Sequence, residues 1–133
     1  MYEEARHEPL IELEWDEGQA RTAIDRIVRD THAHFDSQKL WPVHPLDQFG
    51  EDHTKPFKML YFGAVGVIWA LDYLNRIGAT KIERNYSSSM IPFAQTNRQD
   101  LNLSPPDTFS YLMGDVGILL VQWRLAPTDA LAD

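Results

Sequence analysis

Two short stretches carry the side chains best suited to chemistry. In LWPVHPLD, His44 and Asp47 lie three residues apart in an expected loop, where an imidazole and a carboxylate could form a hydrogen-bonded pair or contact a ligand. Further along, Asp115 stands between two glycines at the expected start of a helix. Backbone amides and the helix dipole stabilise a carboxylate at that position, so Asp115 is a candidate ligand contact or helix cap.

Elsewhere the sequence shows few residues or motifs that could bind a metal ion or act as a nucleophile. It has no cysteine, which excludes disulfides, cysteine nucleophiles and thiolate zinc sites within these 133 residues. The five histidines include no HxxxH pair, and His32 and His34 are two apart, on different faces of a helix. No P-loop, GxGxxG, HExxH or GxSxG motif occurs. We therefore predict no catalytic residue, metal ligand or cofactor site in this chain.

Charge and hydropathy limit the partners and the compartment. Twelve Lys and Arg residues against twenty Asp and Glu residues give a net charge of -8, without a basic run. Binding to a phosphate backbone needs clustered positive charge, so nucleic acid is an unexpected partner. The polar, acidic start is unlike a signal peptide, and no apolar run is long enough for a bilayer. The sequence predicts a cytoplasmic protein without a membrane partner.

The elements that must position these residues are organised around a repeated block. YFGAVGVIWAL at residues 61–71 returns fifty-one residues later as LMGDVGILLVQ at residues 112–122. The alignment pairs two glycines of each copy, Gly63 with Gly114 and Gly66 with Gly117. Repetition of one supersecondary unit is typical of helical-repeat folds.

The glycines are unusual for helical, apolar segments. A glycine inside a helix costs about 1 kcal/mol relative to alanine. We expect this cost to be offset by close packing against a neighbouring helix or loop, with Gly63 and Gly66 on one helix face. The alternative is that the first glycine of each block simply begins its helix.

Periodicity predicts four main helical elements. They are an amphipathic helix from Trp15 to Phe35, a buried helix from Met59 to Ile77 that stops at Gly78, a short or kinked helix from Ile82 to Asn97, and a second buried helix from Phe109 to Arg124. A long loop joins the first two, and a polar loop over residues 97–106 joins the last two. Aromatic residues of the two buried helices are expected to pack in the core. The order predicts an all-α fold of helical-hairpin repeats.

The stretches LWPVHPLD, LYFGAVGVIWALDYLNRIGA and SYLMGDVGILLVQWRLAP resemble the opening portion of the lanthionine synthetase C-like (LanC-like) family. The resemblance implies an α/α toroid, a double ring of helices whose inner ring carries the glycines. It also implies, for complete members, a zinc ion held by two cysteines and a histidine of later repeats. That zinc activates peptide thiols for addition to dehydrated serine or threonine, and other members bind or add glutathione.

None of the family's zinc ligands can be placed on a residue of this cysteine-free chain. We therefore expect residues 1–133 to be a single helical domain and an N-terminal, non-catalytic portion of such a toroid. Residues 1–14 are expected to be an irregular lead-in, and a third unit is expected from Ala126. A peptide or thiol is the expected substrate of the full-length protein, and the isolated chain is expected to self-associate through uncovered apolar flanks. The alternatives are a non-catalytic helical module that binds a peptide and part of a carbohydrate-active toroid.

Overall fold

The computed structural model describes residues 12, 14–44, 55–102 and 104–125. Over these ranges the chain is helical and contains no strand, only an isolated bridge between Asp36 and Leu40. The helices are α1 (Glu17–Ala33), α2 (Ala64–Arg76), α3 (Ser87–Met90), α4 (Phe93–Leu101), α5 (Pro105–Thr108) and α6 (Asp115–Leu125). The all-α class predicted from the sequence is confirmed for this part of the chain.

Helix α1 begins with a side-chain cap and is amphipathic as predicted. The Asp16 carboxylate accepts a hydrogen bond from the Gln19 amide at 2.8 Å, which satisfies one of the amides that a helix start leaves unpaired. Val28 is the buried residue of this helix. Ile27 of the same helix is 62% exposed although it is apolar.

Helix α2 ends as the sequence predicts, at a left-handed glycine. Gly78 has a φ of 70°, which a residue without a Cβ adopts freely. Its amide donates to the Asn75 carbonyl at 3.1 Å, and the Ala79 amide donates to the Leu74 carbonyl at 3.0 Å. These two bonds form a Schellman motif, which pairs the last carbonyls of the helix.

The predicted starts of the two glycine helices are wrong by about five residues. Helix α2 begins at Ala64 rather than Met59, and α6 begins at Asp115 rather than Phe109. Gly63 is the N-cap of α2, with an extended φ of -118°, so it does not share a helix face with Gly66. The residues before each helix instead fold into turns that pack against the helix start. Of the two interpretations of the first glycines, helix initiation is the one observed.

The interrupted helix around Pro92 is present, but its second half extends further than predicted. Pro92 is the N-cap of α4, where its missing amide donor has no cost. The predicted loop from Asn97 is helical up to Leu101. Asn97 is 1% exposed, and its Nδ2 donates to the Met113 carbonyl at 3.2 Å. This contact with the turn before α6 buries a polar residue that the sequence pattern places in a loop.

Helices α2 and α6 lie side by side in the core with α3 and α4 against α6. The core contains Val28, Leu40, Ala64, Val65, Ile68, Leu71, Tyr86, Met90, Phe93, Ile118 and Val121. Several aromatic residues predicted to pack in the core are instead at least 40% exposed: Tyr61, Trp69, Tyr73, Tyr111 and Trp123. They lie on faces of α2, α6 and the preceding turns that no described element covers.

Several expectations concern residues outside the described ranges. Of the expected lead-in over residues 1–14, the structure describes residues 12 and 14, neither of them helical. The unit expected from Ala126 lies outside the described residues, as does Asp47. None of the described helices combines the length and the apolar character that crossing a membrane requires.

Candidate functional site

A close approach of backbone to glycine occurs in both copies of the repeated block. A Cβ added to Gly66 would lie 2.2 Å from the carbonyl oxygen of Leu60, and a Cβ added to Gly117 would lie 2.2 Å from that of Tyr111. Leu60 and Tyr111 are separated by fifty-one residues, as are the two glycines. We define residues 57–71 as the first glycine block and residues 108–122 as the second. Each block thus folds its own turn against the first turn of its helix.

The first glycines of the blocks are equally enclosed. A Cβ on Gly63 would lie 2.6 Å from both the amide nitrogen and the carbonyl oxygen of Met59, and one on Gly114 would lie 2.4 Å from the carbonyl oxygen of Thr108. The close approach expected from the glycines is therefore made by the preceding turn of the same block. Because the neighbouring atoms are backbone, no side-chain adjustment can make room.

The two turns are joined to each other. The Tyr61 amide donates to the Leu112 carbonyl at 3.1 Å, and these residues occupy equivalent positions of the two blocks. The Leu60 side chain reaches Gly117, where its Cδ2 would lie 3.2 Å from an added Cβ. The glycines therefore permit both the fold of each block and the contact between blocks.

An apolar groove of about 650 Å³ lies over the first block. It is lined by the segment Pro42 to His44, by the turns before α2 and α6, and by residues of α2 and α6 themselves. Its apolar lining includes Leu60, Tyr61, Phe62, Val67, Trp69 and Tyr111. The size and lining are those of sites that bind small molecules or short apolar segments.

The candidate residue His44 lines this groove and is exposed. It therefore lines the same groove as Gly63 and Gly66, the two glycines of the first repeated block. The predicted His44 and Asp47 pair stays a prediction, since Asp47 lies outside the described residues. His44 is thus a polar side chain in a mostly apolar lining.

Asp115 lies in a different place, against α4. It is the first residue of α6 and 3% exposed, and its Oδ2 accepts a hydrogen bond from Arg98 Nε in an ion pair. Its Oδ1 has no hydrogen-bond partner among the described residues. The carboxylate therefore joins α6 to α4 instead of capping backbone amides. This position favours a structural role for Asp115 over ligand contact.

Helix α4 contributes residues that sequence reasoning missed. Arg98 pairs with Asp115, and Asp100 forms an ion pair with Lys58 in the turn before α2. The Lys58 and Asp100 side chains are 12% and 23% exposed. A signal was present in the spacing of Phe93 and Asn97, which places both on one helix face, but the polar run TNRQD favoured a loop.

A second groove, of about 1250 Å³, lies between α1 and residues 78–84. It is lined by charged side chains, among them Arg21, Asp25, Arg29, Lys81, Glu83 and Arg84. It is thus distinct in chemistry from the apolar groove over the first block. No residue of this second groove was a candidate site residue from the sequence.

Across the described ranges, no three His, Asp or Glu side chains come close enough together to hold a metal ion.

Comparison with protein-family models, with curated proteins and with solved structures finds no match for this chain.

Proposed function

We propose that this chain forms part of the wall of an α/α toroid of the LanC-like kind, supplying helix-packing and binding surface rather than catalytic groups. The three stretches that resemble this family, the helical fold and the side-by-side placement of α2 and α6 support this proposal. Zinc-dependent addition of thiols to dehydrated peptides would then require groups contributed by other parts of the toroid.

The observation that carries the proposal is the exposed apolar surface of the two glycine helices. On α2, Trp69 and Tyr73 are 40% and 46% exposed, and their rings stack with centroids 5.7 Å apart. On α6, the exposed apolar residues are Leu119, Leu120 and Trp123. Apolar surface gathered on a helix face marks an interaction site, because burying it is favourable.

A toroid explains this surface physically. Each inner helix of a ring of repeats is covered on both flanks by its neighbours, so its sides are apolar. Helices α2 and α6 contact each other, and α3 and α4 contact α6, yet the apolar residues named above stay exposed on both helices. Further helices packed on the remaining faces would bury the aromatic residues that the sequence places there.

The test uses self-association of the chain as a measure of this uncovered surface. Light scattering coupled to size-exclusion chromatography should show a species larger than the 15.3 kDa monomer at high micromolar concentration. The double variant Leu120→Gln with Trp123→Gln should be monomeric. The matched control is Ile27→Gln, which replaces an exposed apolar residue of α1 and should leave the association unchanged. A wild-type chain that stays monomeric would contradict the proposal.

The groove over the first block favours a second candidate function, a helical module that binds an apolar peptide segment. Ala70 is exposed and lines this groove, whereas Leu120 and Trp123 lie outside its lining. Binding of an apolar dye, followed by fluorescence, separates the two functions. Ala70→Trp should abolish dye binding if the groove is the site, and the α6 double variant should abolish it if the exposed helix face is.

Zinc content provides a further check on the non-catalytic role. Five histidines without a cysteine offer no closed tetrahedral ligand set of the structural type. We expect elemental analysis of the purified chain after dialysis against a chelator to show no stoichiometric zinc. About one tightly held zinc per chain would overturn this part of the proposal.

A further inference from the structure

The charged groove between α1 and residues 78–84 is electropositive within an acidic protein. Its lining contains four of the chain's twelve Lys and Arg residues but only two acids, Asp25 and Glu83. The chain as a whole has a net charge of -8. A local positive excess inside a concave surface attracts anions, because the surrounding low-dielectric walls focus the field.

One end of this groove is already neutralised by its own contacts. Arg21 forms an ion pair with Glu17 at 2.9 Å and donates to the Gly78 carbonyl at 3.3 Å. The Asp25 carboxylate accepts a hydrogen bond from the Thr80 hydroxyl at 2.8 Å. These contacts use the groups at this end to join α1 to the loop after α2.

The other end has cationic groups that no acid of the described residues pairs with. Arg29 Nε donates to the main-chain carbonyl of Asp25 at 3.3 Å, and no described carboxylate forms an ion pair with its guanidinium. The Arg84 guanidinium carbon lies 4.1 Å from the centroid of the Phe35 ring, and it too forms no ion pair in the described part of the chain. The Glu83 carboxylate is 3.8 Å from Lys81.

Aromatic residues hold Arg84 and His32 in place. The Phe35 ring supports Arg84 by a cation–π contact. His32 Nδ1 lies 2.5 Å from the hydroxyl of Tyr86, which is 4% exposed, and the two rings are nearly parallel, at 6°. With the hydroxyl as donor to Nδ1, the neutral imidazole carries its proton on Nε2, which is then a hydrogen-bond donor. Arg29 lies one turn before His32 on the same face of α1.

We propose that Arg29, Arg84 and His32 form a binding site for the oxyanion group of a small molecule, a phosphate or a carboxylate. A guanidinium presents paired donors that match both kinds of oxyanion. The groove volume of about 1250 Å³ leaves room for an organic molecule that carries the oxyanion. The site stands independently of the toroid proposal, since none of its residues belongs to the glycine blocks.

The experiment titrates the chain with inorganic phosphate and, separately, with citrate, at constant ionic strength, and follows backbone amide shifts by NMR. We expect saturable shifts at Arg29, His32 and Arg84 with one or both probes. The probe that binds more tightly identifies a phosphate or a carboxylate as the anchor. Absence of saturable shifts up to tens of millimolar of either probe would overturn the proposal.

Two substitutions and a matched control localise the binding. Arg29→Gln should weaken it by about tenfold or more, the loss expected when a charged hydrogen-bond donor is removed. Arg84→Lys keeps a cation over Phe35 and should retain partial binding with an unchanged fold. Arg26→Gln removes the same charge from α1 at a residue that lies outside the lining of this groove. An equal loss in the Arg26 and Arg29 variants would show that overall charge alone attracts the anion, and the site would be refuted.

Discussion

The two glycine blocks share a backbone arrangement and differ in the first residue of their helices. In both, a glycine in the first turn of the helix faces a carbonyl of the preceding turn at a distance that excludes a Cβ. The first helical residue is Ala64 in one block and Asp115 in the other, at 2% and 3% exposed. The same buried position is therefore apolar in one block and charged in the other. The glycines determine the turn, and the neighbouring element determines the side chain.

Helix α4 is that neighbouring element, and it contacts the two blocks with opposite charges. Its Arg98 pairs with Asp115 of the second block, and its Asp100 pairs with Lys58 of the first. Asn97 of the same helix adds a hydrogen bond to the Met113 carbonyl in the turn before α6. A single short helix thus holds two similar blocks in different ways.

The largest effect is expected from filling the space at the shared glycines. Gly66→Ala and Gly117→Ala should each lower the free energy of unfolding by about 3 kcal/mol, because backbone atoms cannot yield to the new Cβ. This loss exceeds the helix-propensity gain of about 1 kcal/mol. Urea denaturation of the two variants provides the measurement.

The control for this prediction is Gly18→Ala in α1, where the nearest atom to an added Cβ is the Asp16 carboxylate oxygen at 3.2 Å, the end of a flexible side chain. Its effect should remain within about 1 kcal/mol. If only one of Gly66 and Gly117 proves sensitive, the two blocks are not equivalent in solution.

The next effect tests the charged difference between the blocks. Arg98→Gln should cost about 2 kcal/mol, because it leaves the Asp115 carboxylate buried without its cation. Asp115→Ala should cost less, about 1 kcal/mol, since the Arg98 side chain is 55% exposed and can return to water. Urea denaturation of both variants measures the asymmetry. Equal losses would mean that the pair itself, rather than the burial of Asp115, dominates.

A smaller effect is expected at the ion pair of the first block. A double-mutant cycle with Lys58→Met and Asp100→Asn should give a coupling energy of about 1 kcal/mol, because both side chains are only partly exposed. The coupling should decrease only slightly at high salt, because salt screens a partly buried ion pair less than an exposed one. A coupling energy larger than that measured for Arg98 with Asp115 would show that the ion pair of the first block contributes more to stability than the ion pair of the second.

The smallest effect is expected at Asp36, which lies outside both blocks and contributes to the pH dependence of unfolding. The Asp36 carboxylate accepts hydrogen bonds from the Gln38 and Lys39 amides, both at 2.7 Å. The Lys39 and then the Gln38 amide hold the pKa of this carboxyl below its usual value. Its contribution to stability is therefore present above the unfolded-state pKa and lost as the pH falls through the folded-state pKa.

An NMR titration of the Asp36 carboxyl should show the lowered pKa directly. Asp36→Asn should remove this part of the acid dependence of unfolding and leave the remainder unchanged. A titration of Asp36 at its ordinary value would contradict the hydrogen-bonded turn.

Local signals along the chain are sufficient for much of the fold. Asp16 starts α1 through its side-chain cap, whereas Gly78 ends α2 and Pro92 interrupts the third element through the backbone properties of those residues. Such properties act over three or four residues, so a linear pattern contains them. The fifty-one-residue spacing likewise identifies Gly66 and Gly117 as an equivalent pair, because the repeated block is visible in the order of the residues alone.

Contacts between distant segments determine the helix starts and the ion pairs that the sequence pattern does not predict. The true starts of α2 and α6 depend on turns folding back onto the glycines, and apolar residues such as Met59 are compatible with helix and turn alike. The pairing of Asp115 with Arg98 joins residues seventeen positions apart across two helices, which periodicity does not encode. The sequence alone determined the all-α class and the end of α2 at Gly78, because helix periodicity and helix termination act over a few residues. Only the tertiary structure decided which charges, grooves and apolar faces those helices share, because burial depends on what packs against each face.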